Sequence, residues 1–382
     1  MDKREFFKTC LGCIAGASSA LGLHGCNNSG DAEHRENDNL SKASFKGGME
    51  SPWYTSLNNN AIRCELCPWQ CRIENGRRAL CRVRENRNGK CYTVAYGNPS
   101  LVQEDAIERN PFFHVLPGTR ALSVSTAGCN LSCSFCEVWD LAMASPEDLH
   151  CYDMSPRVVV ENALAANLRS VSYAFGEPVI FYEYMRDTAK LAKEAKLLNL
   201  FHTAAFIQPK PLKELAPLID AANIDLKSFD PQFYRDIVKG ELQPVLNSIK
   251  TLKRAGVHIE LTYIVIPSLT DGLKKIGEMC KWIYEELGAE TPLHFARFYP
   301  LHRLADLPPT PVSTLDRIRE TALESGLKFV YVGRVTGHEG ENTFCPRCDK
   351  LIINRIGFII DEINMDKGRC SFCGCSVPGI WS

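Results

Sequence analysis

The feature that most constrains this chain is Cys129, Cys133 and Cys136, a C-x3-C-x2-C array that directly follows the β-branched run Leu122 to Thr126. A tetrahedral zinc ion and a cubic iron–sulfur cluster each take four protein ligands, so three cysteines leave one coordination position open. Shortage does not explain the number, because the 382 residues include 18 cysteines. Most of the others stand in close-spaced groups: Cys64, Cys67, Cys71 and Cys81, then Cys345, Cys348, Cys370, Cys373 and Cys375. C-x2-C spacing in a chain this long reads as metal binding, since disulfide frameworks belong to small secreted domains. Cys151 and Cys280 read as ordinary core thiols. Net charge is −1, which gives no overall field toward nucleic acid or membrane.

Beyond the first cysteine group, short β-rich runs alternate with amphipathic segments. Candidate strands are 122–126, 170–175, 200–206, 223–227, 258–266 and 293–298, with 328–333 as a further one. Between them, Ile180, Phe181, Tyr184, Met185, Ala189 and Ala192 form one helical face. A second helix is expected to start at Pro244, stripe Val245, Ile249 and Leu252, and stop at Gly256. The alternation argues for βαβ units on a parallel sheet, and about six of them give an α/β fold, a partial (β/α)6 TIM-type barrel. Functional groups of such barrels gather at the C-terminal ends of the strands, where the three cysteines fall. The domain reading is a signal-like leader over 1–26, a polar linker over 27–54, a Cys/Arg-rich metal-binding block over 55–115, the barrel over 116–335 and a tail over 336–382.

Three thiolates holding a [4Fe–4S] cluster would leave one iron free to chelate the amino and carboxylate groups of S-adenosylmethionine, whose reductive cleavage yields a 5′-deoxyadenosyl radical. Phe135, just before Cys136, would cover the cluster. The competing reading is a zinc knuckle completed by a remote residue. With its aromatic before the last cysteine, the array resembles the radical S-adenosylmethionine superfamily. Over most of Ile62 to Trp381 the chain resembles the radical enzyme of the AmmeMemoRadiSam systems, relatives of pyruvate formate-lyase activating enzymes, through stretches such as "RCELCPWQC", "CNLSCSFC", "DLKSFDPQFYR" and "YVGRVTGHEGENTFCPRC".

The resemblance implies that Gly176 and Glu177 receive the methionine amino group, and that Asp225 and Lys227 contact the cofactor; Glu177, Asp225 and Lys227 are thereby the catalytic candidates. It also implies that Ile264 to Ile266 flank the adenine; the alternatives are simple barrel core for these and a solvated ion pair for Asp225 and Lys227. His294 and Arg297 are rim candidates for its ribose or carboxylate, with a packed core histidine the alternative for His294. Two departures stand out: Phe175-Gly176-Glu177-Pro178 replaces the usual Tyr-Asn-Glu-Pro, and Thr203-Ala204-Ala205 replaces Thr-Asn-Gly. The second removes an amide that could bind cofactor or substrate. The implied activity is hydrogen abstraction from a protein or peptide, with Memo-like and Ammecr-like proteins as partners, a ferredoxin or flavodoxin as reductant, and anaerobic working conditions. A glycyl-radical enzyme activase is the nearest alternative, and a non-catalytic iron–sulfur electron-transfer or nucleic-acid-binding module the rival from another class.

Cys64, Cys67, Cys71 and Cys81 supply four thiolates, enough for a second iron–sulfur cluster that relays electrons or for a zinc that staples the block. The arginines around them suit a thiolate-rich site better than nucleic acid, since Trp69 is the only aromatic interleaved for stacking. Cys345, Cys348, Cys370 and Cys373 read as the two knuckles of a zinc-ribbon or rubredoxin-like tail holding one zinc or iron. The leader carries Lys3-Arg4-Glu5-Phe6-Phe7-Lys8 and ends in Leu23-His24-Gly25-Cys26, a pattern of Tat-type export or a lipid-anchored envelope protein. Cofactor and reductant are cytoplasmic, which favours catalysis in the cytoplasm with the leader as a possible membrane tether.

Overall fold

The β-rich runs assemble into one open eight-stranded sheet. A computed structural model describes residues 48–382, which fall in one compact unit. The strands are β1 (Leu101–Ala106), β2 (Arg120–Ser125), β3 (Ser170–Tyr173), β4 (Leu198–Thr203), β5 (Ala221–Asp225), β6 (His258–Val265), β7 (Leu293–Arg297) and β8 (Val330–Gly333). They lie side by side in chain order, and β2 to β8 are all parallel. The further strand expected at 328–333 is therefore present. β1 pairs antiparallel with β2, from Leu101 opposite Ser125 to Ala106 opposite Arg120. Its residues fall within the stretch read from sequence as part of the cysteine block, but their hydrogen bonds belong to the main sheet.

Helices α1 (Pro156–Ala165), α2 (Tyr182–Glu194), α3 (Pro209–Leu215), α4 (Leu242–Arg254), α5 (Leu273–Leu287) and α6 (Val312–Glu324) form the crossovers. Ser155 caps α1 by accepting from the Val158 N–H, with Pro156 in the first turn. α2 buries Tyr184, Met185, Ala189 and Ala192 of the expected face, while Ile180 and Phe181 are buried in the 3-10 turn just before it. α4 starts at Leu242, two residues earlier than Pro244 suggested, because a proline within the first turn forfeits only an N–H that has no helical acceptor. Its end is as expected. Gly256 adopts φ +82°, and the N–H groups of Gly256 and Val257 reach back to the carbonyls of Lys253 and Leu252.

The block before β1 consists of two small antiparallel sheets. It is locked to α2 by a buried ion pair, Arg84 to Glu183 at 2.7 Å, with Ser51 donating to the same carboxylate at 2.6 Å. Both members are essentially solvent-free, so losing either would strand a buried charge at a cost of roughly 3–5 kcal/mol. The tail forms a three-stranded sheet, β9 (Thr343–Phe344), β10 (Leu351–Ile356) and β11 (Ile359–Ile363). It docks under the N-terminal ends of the barrel strands. Buried Arg355 donates to the Phe113 carbonyl at 2.8 Å, and backbone bonds join Ile380 to His114 and to Leu116. Among the described residues no helix is long and apolar enough to cross a membrane. The leader over 1–26, with Cys26, and linker residues 27–47 lie outside the described residues.

Candidate functional site

The three-cysteine loop leaves β2 at the C-terminal rim and is fixed by its neighbours more than by itself. Gly128 has φ +97°, and a Cβ there would stand 2.4 Å from the Cys81 carbonyl oxygen, so only glycine fits. Beyond it, the N–H groups of Ser132 and Ser134 donate to the carbonyls of Val238 and Ile237, and Arg303 N–H donates to the Ser134 carbonyl. Asn130 donates from Nδ2 to the Phe206 carbonyl at 2.8 Å. Phe135 is buried against Phe233, with ring centroids 5.9 Å apart.

Burial pushes the Cys133 thiol up to about 12, against the pull of the Lys227 ammonium, and raises Cys129 and Cys136 as well. Such thiols become thiolates only when a cation compensates them, which a metal centre does. Among the described residues, the only metal-ligating side chains with three or more donor atoms all within 4.8 Å of one another are the tail cysteines. The rim cysteines are thus a wider, three-donor set. Soft sulfur donors spread over three corners fit an iron–sulfur cluster and leave its fourth corner to an outside ligand.

The strand ends around this loop carry a connected polar group. Gly176 N–H donates to Ser125 Oγ at 3.0 Å, and a Cβ at Gly176 would stand 2.5 Å from that oxygen, so β2 and β3 meet closely here. Glu177 is buried, and its carboxylate accepts from Thr203 Oγ1 at 2.5 Å, Val179 N–H at 3.0 Å and Ala204 N–H at 2.9 Å. Burial raises its pKa and these donors oppose the rise. A carboxylate has about four acceptor positions, so roughly one remains for a further donor. Ala205, at the position of the usual glycine, adopts φ +53°, and Phe175 adopts φ +67°. Left-handed backbone at two non-glycine residues, each costing roughly 1 kcal/mol, marks the β3 and β4 ends as strained.

Asp225 and Lys227 form an ion pair at 2.6 Å, and His202 Nε2 lies 3.2 Å from the other Asp225 oxygen. Burial opposes ionisation of Asp225, but Lys227 and His202 outweigh it and hold the carboxyl well below its usual range. Burial also disfavours the Lys227 ammonium, which Asp225 and then the Cys133 and Cys136 sulfurs, when ionised, stabilise. Tyr234, whose hydroxyl accepts from Lys227 N–H at 3.2 Å, fixes this turn. At the end of β6, Ile264 and Ile266 are buried, and Thr270 Oγ1 donates to the Ile264 carbonyl while accepting from Ile266 N–H. Arg297 ends β7 at the rim and donates to the Thr310 carbonyl at 2.8 Å.

His294 is not at the rim. It is the second residue of β7, at the opposite end, where its Nε2 lies 2.7 Å from Glu260 and its ring stacks on Tyr331. Its alternative reading, a packed core histidine, is what the structure shows. Glu260, fully buried, also accepts from the N–H groups of Phe113 and His114, residues that in turn bond to Arg355 and Pro378 of the tail. Sequence reasoning missed His202 and Tyr234. A polar residue next to Thr203 near the end of an apolar strand was the available signal for His202. In the tail, Cys345 and Cys373 sulfurs lie 3.5 Å apart and Cys348 and Cys370 3.8 Å, which leaves Cys375 outside the group.

The fold and rim define a barrel enzyme class built around a cysteine-held cluster, and comparison with known proteins gives that class its family. Residues 123–283 match the radical SAM superfamily. An uncharacterized protein of Methanocaldococcus jannaschii is 41% identical over 327 residues, covering 85% of this chain and 97% of its own length. The chain belongs to the radical SAM superfamily, whose members are enzymes that use a [4Fe–4S] cluster and S-adenosylmethionine. The pyruvate formate-lyase-activating enzyme of Clostridium pasteurianum is 23% identical over 221 residues, 56% of this chain and 91% of that one. The solved structure of Streptococcus suis SuiB bound to S-adenosylmethionine shares 14% identity and a TM-score of 0.45, over 58% of this chain and 50% of that one.

Proposed function

We propose that this protein uses the rim site to abstract hydrogen from a protein or peptide partner. The observation that carries the reading is the three-cysteine loop beside the Glu177 and Asp225–Lys227–His202 groups at the strand ends. Cys129, Cys133 and Cys136 would hold the cluster, which with S-adenosylmethionine supplies a 5′-deoxyadenosyl radical. Glu177 offers its remaining acceptor position to the methionine ammonium, and Gly176 keeps that approach free of a side chain. Asp225 and Lys227 present paired charges to the polar part of the cofactor, with Arg297 beyond them. Ile264 and Ile266 form the apolar wall for adenine. Similarity to an activating enzyme, named for a protein it activates, supports a macromolecular substrate. Glycyl-radical activation is the nearest alternative, and Memo-like or Ammecr-like proteins are the partners implied by the AmmeMemoRadiSam resemblance. The tail cysteines suit a single zinc or iron ion, and catalysis is assigned to the cytoplasm with a ferredoxin or flavodoxin as donor.

The test is isotopic. Candidate partner proteins grown in deuterated medium are incubated with the reconstituted, reduced enzyme, and 5′-deoxyadenosine is analysed by mass spectrometry. Deuterium from a Memo-like or Ammecr-like protein supports the reading, deuterium from a glycyl-radical enzyme selects the activase, and deuterium arriving only from small molecules overturns a protein substrate. Cell fractionation locates the chain; a mature N-terminus at a lipidated Cys26 in the envelope would overturn the cytoplasmic assignment.

A further inference from the structure

Cys64, Cys67, Cys71 and Cys81 line a single cavity, together with Arg84 and Asn130. Cys64 ends a short strand with its N–H bonded to the Cys71 carbonyl, and no disulfide joins the four. Two observations bear on what the cavity takes. The first is spacing. A lone tetrahedral ion with metal–sulfur bonds of about 2.3 Å draws its four sulfurs to roughly 3.8 Å of one another. The tail cysteines stand at that separation, at 3.5 and 3.8 Å, whereas no three of the N-terminal cysteines lie mutually within 4.8 Å. A cubane cluster holds its thiolates apart by its own body, so a cavity between the sulfurs is what it requires. Cys91, buried and hydrogen-bonded to the Cys64 thiol, does not line the cavity, which leaves four lining cysteines.

The second observation is what the cavity adjoins. Trp69, within the cysteine block, donates from Nε1 to the Asn130 carbonyl at 2.7 Å, and Asn130 follows Cys129. On the other side, the Cys81 carbonyl packs on Gly128, the residue before Cys129. One side-chain hydrogen bond and one backbone contact therefore join the four-cysteine cavity to the first ligand of the rim loop. Buried Arg84 stands on the cavity wall with its charge paired to Glu183.

We propose that Cys64, Cys67, Cys71 and Cys81 bind a second [4Fe–4S] cluster, fully ligated by protein, which passes single electrons from a low-potential protein donor to the rim site. The site itself stands independently of the rim reading; the relay role rests on it. One electron enters the four-cysteine cluster from the donor and leaves it to the rim cluster, so the second cluster is unchanged over a turnover.

The full chain with Cys129, Cys133 and Cys136 all replaced by Ala separates the two sites. After anaerobic reconstitution it should keep about four irons and four sulfides beyond any iron in the tail. Its reduced electron paramagnetic resonance spectrum should not change when S-adenosylmethionine is added, since no iron is open. A chain that holds zinc in place of iron and sulfide, beyond the tail equivalent, overturns the cluster. A second variant, Cys67→Ser with Cys71→Ser, should lose about half of the parent's iron. It should slow ferredoxin-driven reduction of the rim cluster at least tenfold while photochemical reduction proceeds, and equal ferredoxin rates would overturn the relay. Failure of the rim reading is seen separately, as a parent protein that does not cleave S-adenosylmethionine under dithionite.

Discussion

The tail and the rim solve the same problem, holding cysteines together, by opposite means. In the tail each C-x2-C pair closes its own turn: Asp349 N–H returns to the Cys345 carbonyl, and Gly374 N–H returns to the Cys370 carbonyl. The residues at those turns, Asp349 and Gly374, both adopt positive φ, so the two knuckles repeat one geometry and bring four sulfurs within 4.8 Å. In the rim loop the anchors come from elsewhere, from Ile237, Val238, Phe206 and Arg303, and the charge that faces the thiols comes from Lys227, just past the end of β5. A closed site can be a local product of a short sequence. An open site needs the topology, because the space beside the third ligand must be kept for a cofactor by residues that the loop does not contain.

The largest expected effect separates the two. Cys345→Ser with Cys348→Ser should release about one metal equivalent and unfold the tail, since isolated structural zinc modules draw on the order of 10 kcal/mol from their metal. The rim's iron should stay. Metal analysis of the variant decides it, and unchanged metal content would mean that the four sulfurs are free thiols.

Next comes the charge pair at the rim. Asp225→Asn leaves Lys227 partly buried without its partner, a loss of about 3–5 kcal/mol in chemical denaturation with the tail metal unaffected. The carboxyl is held well below its usual value of 3.8, so its stabilisation is present above that pH and is lost as pH falls through the lower folded value. The parent's advantage over the variant should thus be constant from neutrality to about pH 5 and shrink only below pH 4. An advantage that disappears by pH 6 would contradict the pair.

A smaller change is expected at Glu177. Glu177→Gln keeps one acceptor oxygen but sets an amide donor against the Thr203 and Ala204 donors, and it removes the charge offered to the cofactor's ammonium. S-adenosylmethionine affinity, measured by equilibrium binding under nitrogen, should fall about tenfold with iron content unchanged. Lost iron with unaltered affinity would make Glu177 a purely structural link between β3 and β4.

Much of this arrangement is written locally. The strand runs, the α4 stop at Gly256 and all three cysteine groups follow from period and spacing, which act over a few residues. What escaped is set by distance along a strand or by partners far away in sequence. His294 and Arg297 are three residues apart on one strand, yet one belongs to the floor beside Glu260 and the other to the rim. His202 joins the site through Asp225, 23 residues later, and nothing near it in sequence announces that partner. β1 alternates too weakly to read as a strand, with Asp105 its one buried residue, and is formed by its pairing with β2.

The central claim is that the rim loop holds a cluster whose open corner accepts S-adenosylmethionine. The direct measurement is electron paramagnetic resonance of the reduced, reconstituted full chain before and after S-adenosylmethionine is added, followed by chromatography for methionine and 5′-deoxyadenosine, with single Cys129→Ala, Cys133→Ala and Cys136→Ala variants alongside. The account predicts a shifted signal and cleavage in the parent, and neither in any of the three variants. A fully iron-loaded parent whose signal ignores the cofactor, or cleavage that survives in one variant, would contradict it.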